Sequence, residues 1–408
     1  MSCSTVSMNT HSASGSGQHA AQVERAAAAP DPRHTLWMVQ VLRATAALMV
    51  VIGHSQSAVE VIKRNAGLGF ARSTVLPWGA SVDLFFVISG FIMVYASRRL
   101  FGQPRATGEF LKRRLARIVP LYWIVTSLFL ALLLAATLKG GDRFPSAAAI
   151  AASYLFLPFD TYGDGRAFPV FDLGWTLNYE MFFYAVFAVA VMLPRRRAVA
   201  AVATMLLLVV AAGIGVSNDQ VALHFWTRPI MLDFGLGMGV GLALSEGVRL
   251  PRTVRIALAV AALVVLVLDP THLFAGPVGV TVANSWARVL VAGIPATALL
   301  AAATLGPEPR LRAPLVPLTQ IGNASYSLYM LHPVALIALE KLAQKLPAVR
   351  LLPGSLLVVV TVLAAIALAQ AAFRWGERPM TARIGRFLDK DRPRASAPPR
   401  STRKETAT

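Results

Sequence analysis

Cysteine is all but missing from this chain of 408 residues: the single thiol, Cys3, sits in a polar N-terminal stretch. One thiol excludes an intrachain disulfide framework and a zinc site built on cysteines. Charge is scarce as well. Asp, Glu, Lys and Arg make up 14% of the residues, against about 25% in a soluble domain. With 56% of residues hydrophobic and a mean hydropathy of +0.58, that shortage excludes a soluble globular protein. Acidic residues are the scarcer sign, 20 against 39 basic ones. The resulting net charge of +19 does not imply a nucleic-acid partner, because the basic residues sit in short loops between apolar runs, where they set membrane orientation. Residues 1–35 lack the hydrophobic segment of a signal peptide. They are rich in Ser, Ala, Gly and His and read as a disordered cytoplasmic tail.

What is there is a series of apolar runs. The chain reads as all-α and polytopic, with about ten transmembrane helices in one integral domain over residues 36–380 and a basic, disordered cytoplasmic tail over 381–408. The expected spans are Met38–Val59, Gly79–Ser97, Ile118–Leu138, Leu173–Leu193, Ala198–Val216, Trp226–Ser245, Val254–Leu268, Ser285–Leu305, Ile321–Leu339 and Ser355–Phe373. Ala147–Phe159 is apolar but short, as a re-entrant or interfacial piece would be. With ten spans and both termini cytoplasmic, 27 of the 39 Lys and Arg fall on the inner side and 9 on the outer. This bias follows the positive-inside rule.

The first span carries Arg43 and His54, eleven positions apart. Eleven residues are about three turns, so both side chains leave one face, roughly 16 Å apart along the axis. Ionisable groups inside a membrane are costly and normally face a protein interior or a wet cavity. Asp83 opens the second span, and Glu180 lies in the fourth. By the topology His54, Asp83 and Glu180 all fall in the outer half of the membrane, as the parts of an acid–base site would. Asp83 can instead serve as a helix N-cap, and Glu180 can pair with an arginine such as Arg228. His332 precedes Pro333, whose ring frees backbone carbonyls that the imidazole can satisfy, so it reads as structural; Asp233 carries less weight still. In the inner loop, Lys112, Arg113, Arg114 and Arg117 cluster ahead of the third span. Arg114 and Arg117 share a helix face, either as a positive-inside anchor or as a clamp for the phosphates of a cytoplasmic cofactor. Tyr326 and Tyr329, beside the polar run Asn323–Ser327, suit the lining of a wet cavity.

Taken together, Arg43 with His54, SVDLFFVISGF (81–91), RLAR followed by IVPLYW (114–123), WTLNYEMFFY (175–184), SYSLYMLHP (325–333) and ERP (377–379) resemble the acyltransferase-3 family of bacterial integral-membrane acyltransferases. The tyrosine-rich fourth block is most similar to the exopolysaccharide-acetylating branch. The resemblance implies an acyl-CoA donor, acetyl-CoA first, and no metal. It implies a catalytic histidine at His54, a functional arginine at Arg43, and importance for Arg114 and Arg117; the cavity-lining Tyr326 is expected beside them at the donor site. Glu180 or Asp83 would orient the imidazole, which would act as general base or as covalent acyl relay. The implied acceptor is a glycan or lipid-linked glycan hydroxyl, the implied location a bacterial inner membrane among its lipids, and the implied partners polysaccharide assembly proteins. A proton-coupled transporter or lipid-linked glycan flippase is the alternative that intramembrane charge alone also fits.

Overall fold

The computed structural model describes residues 36–389 apart from 142, 218 and 275–284. Residues 1–35 and 390–408, and Cys3 with them, lie outside the described residues. All regular structure among the described residues is helical. In hydrocarbon each helix satisfies its own backbone, which no isolated strand can do. The principal helices are α1 (Trp37–Asn65), α2 (Ser81–Ala96), α3 (Ala106–Thr137), α4 (Ala147–Tyr154), α5 (Trp175–Ala190), α6 (Arg195–Ala212), α7 (Leu232–Ser245), α8 (Arg252–Leu268), α9 (Trp286–Thr304), α10 (Val316–Asn323), α11 (Ser325–Lys345) and α12 (Gly354–Leu388). The last of these carries regular helix into the segment expected to be a disordered tail.

Among the described residues, six helices are long and apolar enough to cross a membrane: α1, α2 with the turn before it, α3, α6 with the turn after it, α9 and α12. The other expected spans fold as shorter or more polar helices. α5 has 16 residues and α8 has 17, about 24 and 26 Å at ~1.5 Å per residue, against a hydrocarbon core of ~30 Å. α11 is 21 residues long, but Glu340, Lys341 and Lys345 occupy its last turns. α4 has eight residues, too few to cross, in keeping with an interfacial piece; the Ser146 hydroxyl caps it by accepting from the Ala149 amide.

α2 is the centre of the bundle. Two thirds of its apolar window (67%) is buried, against 22% for α12. A helix that is apolar all round belongs in such a place. Phe86 of α2 and Phe183 of α5 both stack on Phe234 of α7, with centroids 4.5 and 4.4 Å apart, which ties the three helices together. α2 and α7 also meet backbone to backbone. A Cβ on Gly90 would collide with the Phe234 carbonyl, and one on Gly237 with the Val87 carbonyl. Small residues give this approach where lipid supplies no hydrophobic drive between helices. Gly237→Val is therefore expected to destabilise the bundle at the top of the ~1–3 kcal/mol range of overpacking. Gly239→Val, whose Cβ meets nothing within 4 Å, is the control. Thermal melting in detergent should separate the two variants.

α1 and α11 lie side by side and run in the same direction. Arg43 bonds Ser325 near their starts, and His54 meets His332 further along. Two spans of the same parity in a ten-span count would run in this way.

Candidate active site

A cavity of about 120 Å³ opens between α1, α2, α3, α5 and α11. Its walls are largely apolar, among them Phe85, Ile88, Met93 and Leu177, with polar groups set into them. Room for one water takes ~10–15 Å³, so the space suits several waters or the narrow part of an extended ligand.

Arg43, Arg114 and Arg117 all line this cavity. The three-residue spacing of the last two puts both on one face of α3. Pro120 follows within that helix, where it lacks the N–H that would bond the Ala116 carbonyl. In the same stretch the Tyr326 hydroxyl donates to the Ile118 carbonyl at 2.7 Å, fixing α11 against α3. Arg43 donates to Ser325 Oγ at 2.8 Å and to Gln40 Oε1 at 3.2 Å. Arg114 lies over the Phe110 ring at 5.6 Å, and its Nε is buried with no acceptor. Among the described residues, none of the three guanidinium groups has a carboxylate at ion-pairing distance.

Glu180 is on the wall of the same cavity. It accepts from Ser89 Oγ at 2.9 Å and from the Tyr184 hydroxyl, not from Arg228. Glu377, buried at the end of a π turn in α12 (Phe373–Glu377), accepts from Ser327 Oγ. Such turns recur at functional sites. Three guanidinium groups against Glu180 on the wall and Glu377 behind it leave the cavity electropositive, which favours an anionic ligand.

The histidines form a separate contact, beside Tyr329. His54 Nδ1 lies 2.9 Å from His332 Nε2, and the rings meet edge to edge, with centroids 5.1 Å apart and planes 18° from parallel. His332 is completely buried and His54 half-buried. His332 Nδ1 lies 2.9 Å from the Tyr329 carbonyl and 3.2 Å from that of Leu328. Tyr329 lines the cavity, and its ring centroid is 6.2 Å from that of His332, so this one side chain borders both places. Its hydroxyl bonds the Leu173 carbonyl and meets Thr176 Oγ1, both at 3.0 Å.

Asp83 makes a third contact. In the first turn of α2, wholly buried, it accepts from Arg288 Nε at 2.9 Å and Nη2 at 2.7 Å. Asp233 of α7, also wholly buried, has Asp83 and Arg288 as its charged neighbours, and its carboxyl lies within side-chain hydrogen-bond reach of that of Asp83.

The sequence reading expected His54, Asp83 and Glu180 to converge. The structure distributes them instead: Glu180 with the arginine cavity, Asp83 with Arg288, and His54 with His332. Among the described residues no carboxylate is at ion-pairing distance from His54. Arg43, Arg114, Arg117 and Tyr326 do come together around one cavity. His332, read as structural, is the partner of the candidate base; the His-Pro pair was the signal for it. Ser89, Tyr184 and Arg288 escaped the reading because nothing local to them announces their partners.

The acyltransferase-3 family model, described as an acyltransferase domain, matches residues 38–372. The exopolysaccharide production protein ExoZ of Rhizobium meliloti (strain 1021) is 35% identical over 272 residues, covering 64% of this chain and 78% of that protein. Protein 2 in the picA locus of Rhizobium radiobacter is 32% identical over 146 residues, 32% of this chain and 75% of that protein. No solved structure matches. A family model over residues 38–372 takes in the arginine pair of α3, the histidine pair and the His-Pro turn of α11, and the chain belongs to the acyltransferase-3 family of membrane acyltransferases.

Proposed function

We propose that this membrane acyltransferase is an acyl-CoA-dependent O-acyltransferase, with acetyl-CoA as donor and a hydroxyl of a cell-surface or exported polysaccharide unit as acceptor. The observation that carries the reading is the cavity lined by Arg43, Arg114 and Arg117 inside an apolar bundle, one tyrosine away from the His54–His332 pair. Guanidinium groups grip phosphate bidentately, so Arg114 and Arg117 hold the phosphates of the donor. The thin pantetheine arm passes Tyr329 and brings the thioester to His54. His54 takes the proton of the acceptor hydroxyl, and the oxygen attacks the thioester carbonyl. Arg43, at the foot of α1, positions the donor. The polysaccharide class follows from the name of the Rhizobium meliloti relative.

The topology that serves this chemistry has ten crossings with both termini in the cytoplasm of a bacterial cell, in its inner membrane. The shorter helices α5 and α8 would span where the bundle is locally thin. The basic first turns of α3, expected from sequence as a loop, would then face the compartment that supplies acyl-CoA. Polysaccharide assembly proteins would be the natural partners at the outer face.

Purified protein in nanodiscs tests the reading. Acetyl-CoA should bind, and free thiol should appear only when a glycan acceptor is added. Arg114→Ala and Arg117→Ala are each expected to raise the donor KM about 10-fold or more, since a charge-assisted hydrogen bond contributes ~1.5–3 kcal/mol, while kcat changes less. Glycan flux across vesicles without acyl-CoA binding would replace the enzyme with a flippase.

A further inference from the structure

We infer that His332 is a positioning residue for His54: together with Pro333 it fixes the tautomer that leaves His54 Nε2 bare and able to accept a proton. The inference rests on the reading that His54 takes the acceptor's proton, and it says what makes the imidazole fit for that step.

The argument begins with a missing backbone hydrogen. Pro333 sits inside α11 and cannot donate to the carbonyl four residues back, which is that of Tyr329. A buried carbonyl without a donor is costly. His332 Nδ1 lies 2.9 Å from that oxygen and 3.2 Å from the Leu328 carbonyl. A carbonyl only accepts, so the proton of His332 is on Nδ1. Neutral His332 then presents Nε2 as an acceptor. The atom 2.9 Å from it is His54 Nδ1, which must donate. One proton of the neutral ring is thereby placed, and His54 Nε2 holds a lone pair.

The chain of donors therefore runs from His54 Nδ1–H to His332 Nε2, and from His332 Nδ1–H to the Tyr329 carbonyl. Each ring is held by an atom whose role the next one dictates. Orientation of a base by a third group is the general logic of activated acyl-transfer sites, although here the orienting group is neutral. In the step it serves, the acceptor O–H bond breaks as its proton goes to His54 Nε2. The oxygen forms a bond to the thioester carbonyl carbon, the C–S bond breaks with its electron pair on sulfur, and the thiolate recovers the proton from Nε2. His332 keeps its own proton throughout. His54 keeps some exposed surface and is the ring a substrate can meet, whereas wholly buried His332 is not.

Two measurements test the assignment. In protein labelled with ¹⁵N-histidine, in nanodiscs and without donor or acceptor, the neutral His54 ring should show a protonated Nδ1 and a bare Nε2. His54→Gln identifies its signals. Finding the proton on Nε2 overturns the inference, whatever the enzyme does. In turnover, His332→Phe is expected to lower kcat ~10–100-fold, the usual effect of removing a group that orients a ligand or base, with the donor KM unchanged. His332→Gln, whose side-chain oxygen can accept from His54 Nδ1, should recover most of that loss. A glutamine variant as slow as the phenylalanine one contradicts the inference. If His332→Phe fails to fold, the wild-type spectrum decides alone. Full turnover by His54→Ala would remove the proposed role of His54 and leave the tautomer measurement standing, so the two failures are distinguishable.

Discussion

His54→Ala is expected to lower kcat for acyl transfer by ~10²–10⁴-fold, the range that a positioned general base contributes. The variant should fold. His54 is half-buried and its one hydrogen bond is to His332, while its neighbours along α1, Val51 and Val59, are completely buried apolar residues that the substitution leaves in place. Alanine is also the best helix former, so α1 gains backbone propensity where it loses the ring. Donor affinity should persist, because Arg43 is eleven residues away, roughly 16 Å along the helix. The expected result is thus a split: unchanged acetyl-CoA binding by calorimetry, and near-absent release of free thiol in the presence of acceptor. The arginine variants should show the opposite split, a raised donor KM with less change in kcat. If His54→Ala turned over at the wild-type rate, the histidine would be removed from the chemistry and the cavity would need another base. Glu180 is the carboxylate that lines it.

How far the sequence reached is clearest on α1. Arg43 and His54 share a face because eleven residues make about three turns, and no tertiary information is needed to see it. Depth in the membrane is legible in the same way, from the position of a residue within its apolar run. Azimuth is not. α2, α5 and α7 are apolar all round, so their sequences do not say which face meets which neighbour. Asp83 and Glu180 stand at comparable depth by topology, yet one turns to Arg288 and the other to Ser89 and Tyr184. The partners of these groups come from far along the chain, 205 residues away for Asp83 and 278 for His54. Only packing decides such pairs. The polar run at the start of α11 was different, since hydroxyls in a span need somewhere to point. Ser325, Tyr326 and Tyr329 do line the cavity, while Ser327 turns to Glu377. The ends of the spans are less legible for a related reason. Hydropathy runs on through the short turns that flank α5, so a run such as Leu173–Leu193 looks longer than its helix, Trp175–Ala190.

Arg288→Met is expected to produce the largest loss of stability, ~3–5 kcal/mol, because it strips the countercharge from a wholly buried carboxylate. The geometry makes the cost asymmetric. Removing Arg288 leaves both Asp83 and Asp233 in the apolar interior without a cation. Removing the charge of Asp83, as Asp83→Asn does, also removes its repulsion of the Asp233 carboxyl, which can then take over as the counterion of Arg288. The asparagine variant should therefore melt well above the methionine one in the same detergent, although an isolated ion pair would lose similarly from either side. The comparison also separates architecture from chemistry. Asp83 opens α2, and Arg288 leads into the π turn of α9 (Val289–Gly293), so the pair clamps the central helix to a neighbour. His54 has no part in that contact. Folded Asp83→Asn should keep kcat within a few-fold of wild type. A loss of kcat as large as that of His54→Ala, in protein that still melts cooperatively, would instead make Asp83 a participant in acyl transfer and would require α2 to turn during the cycle.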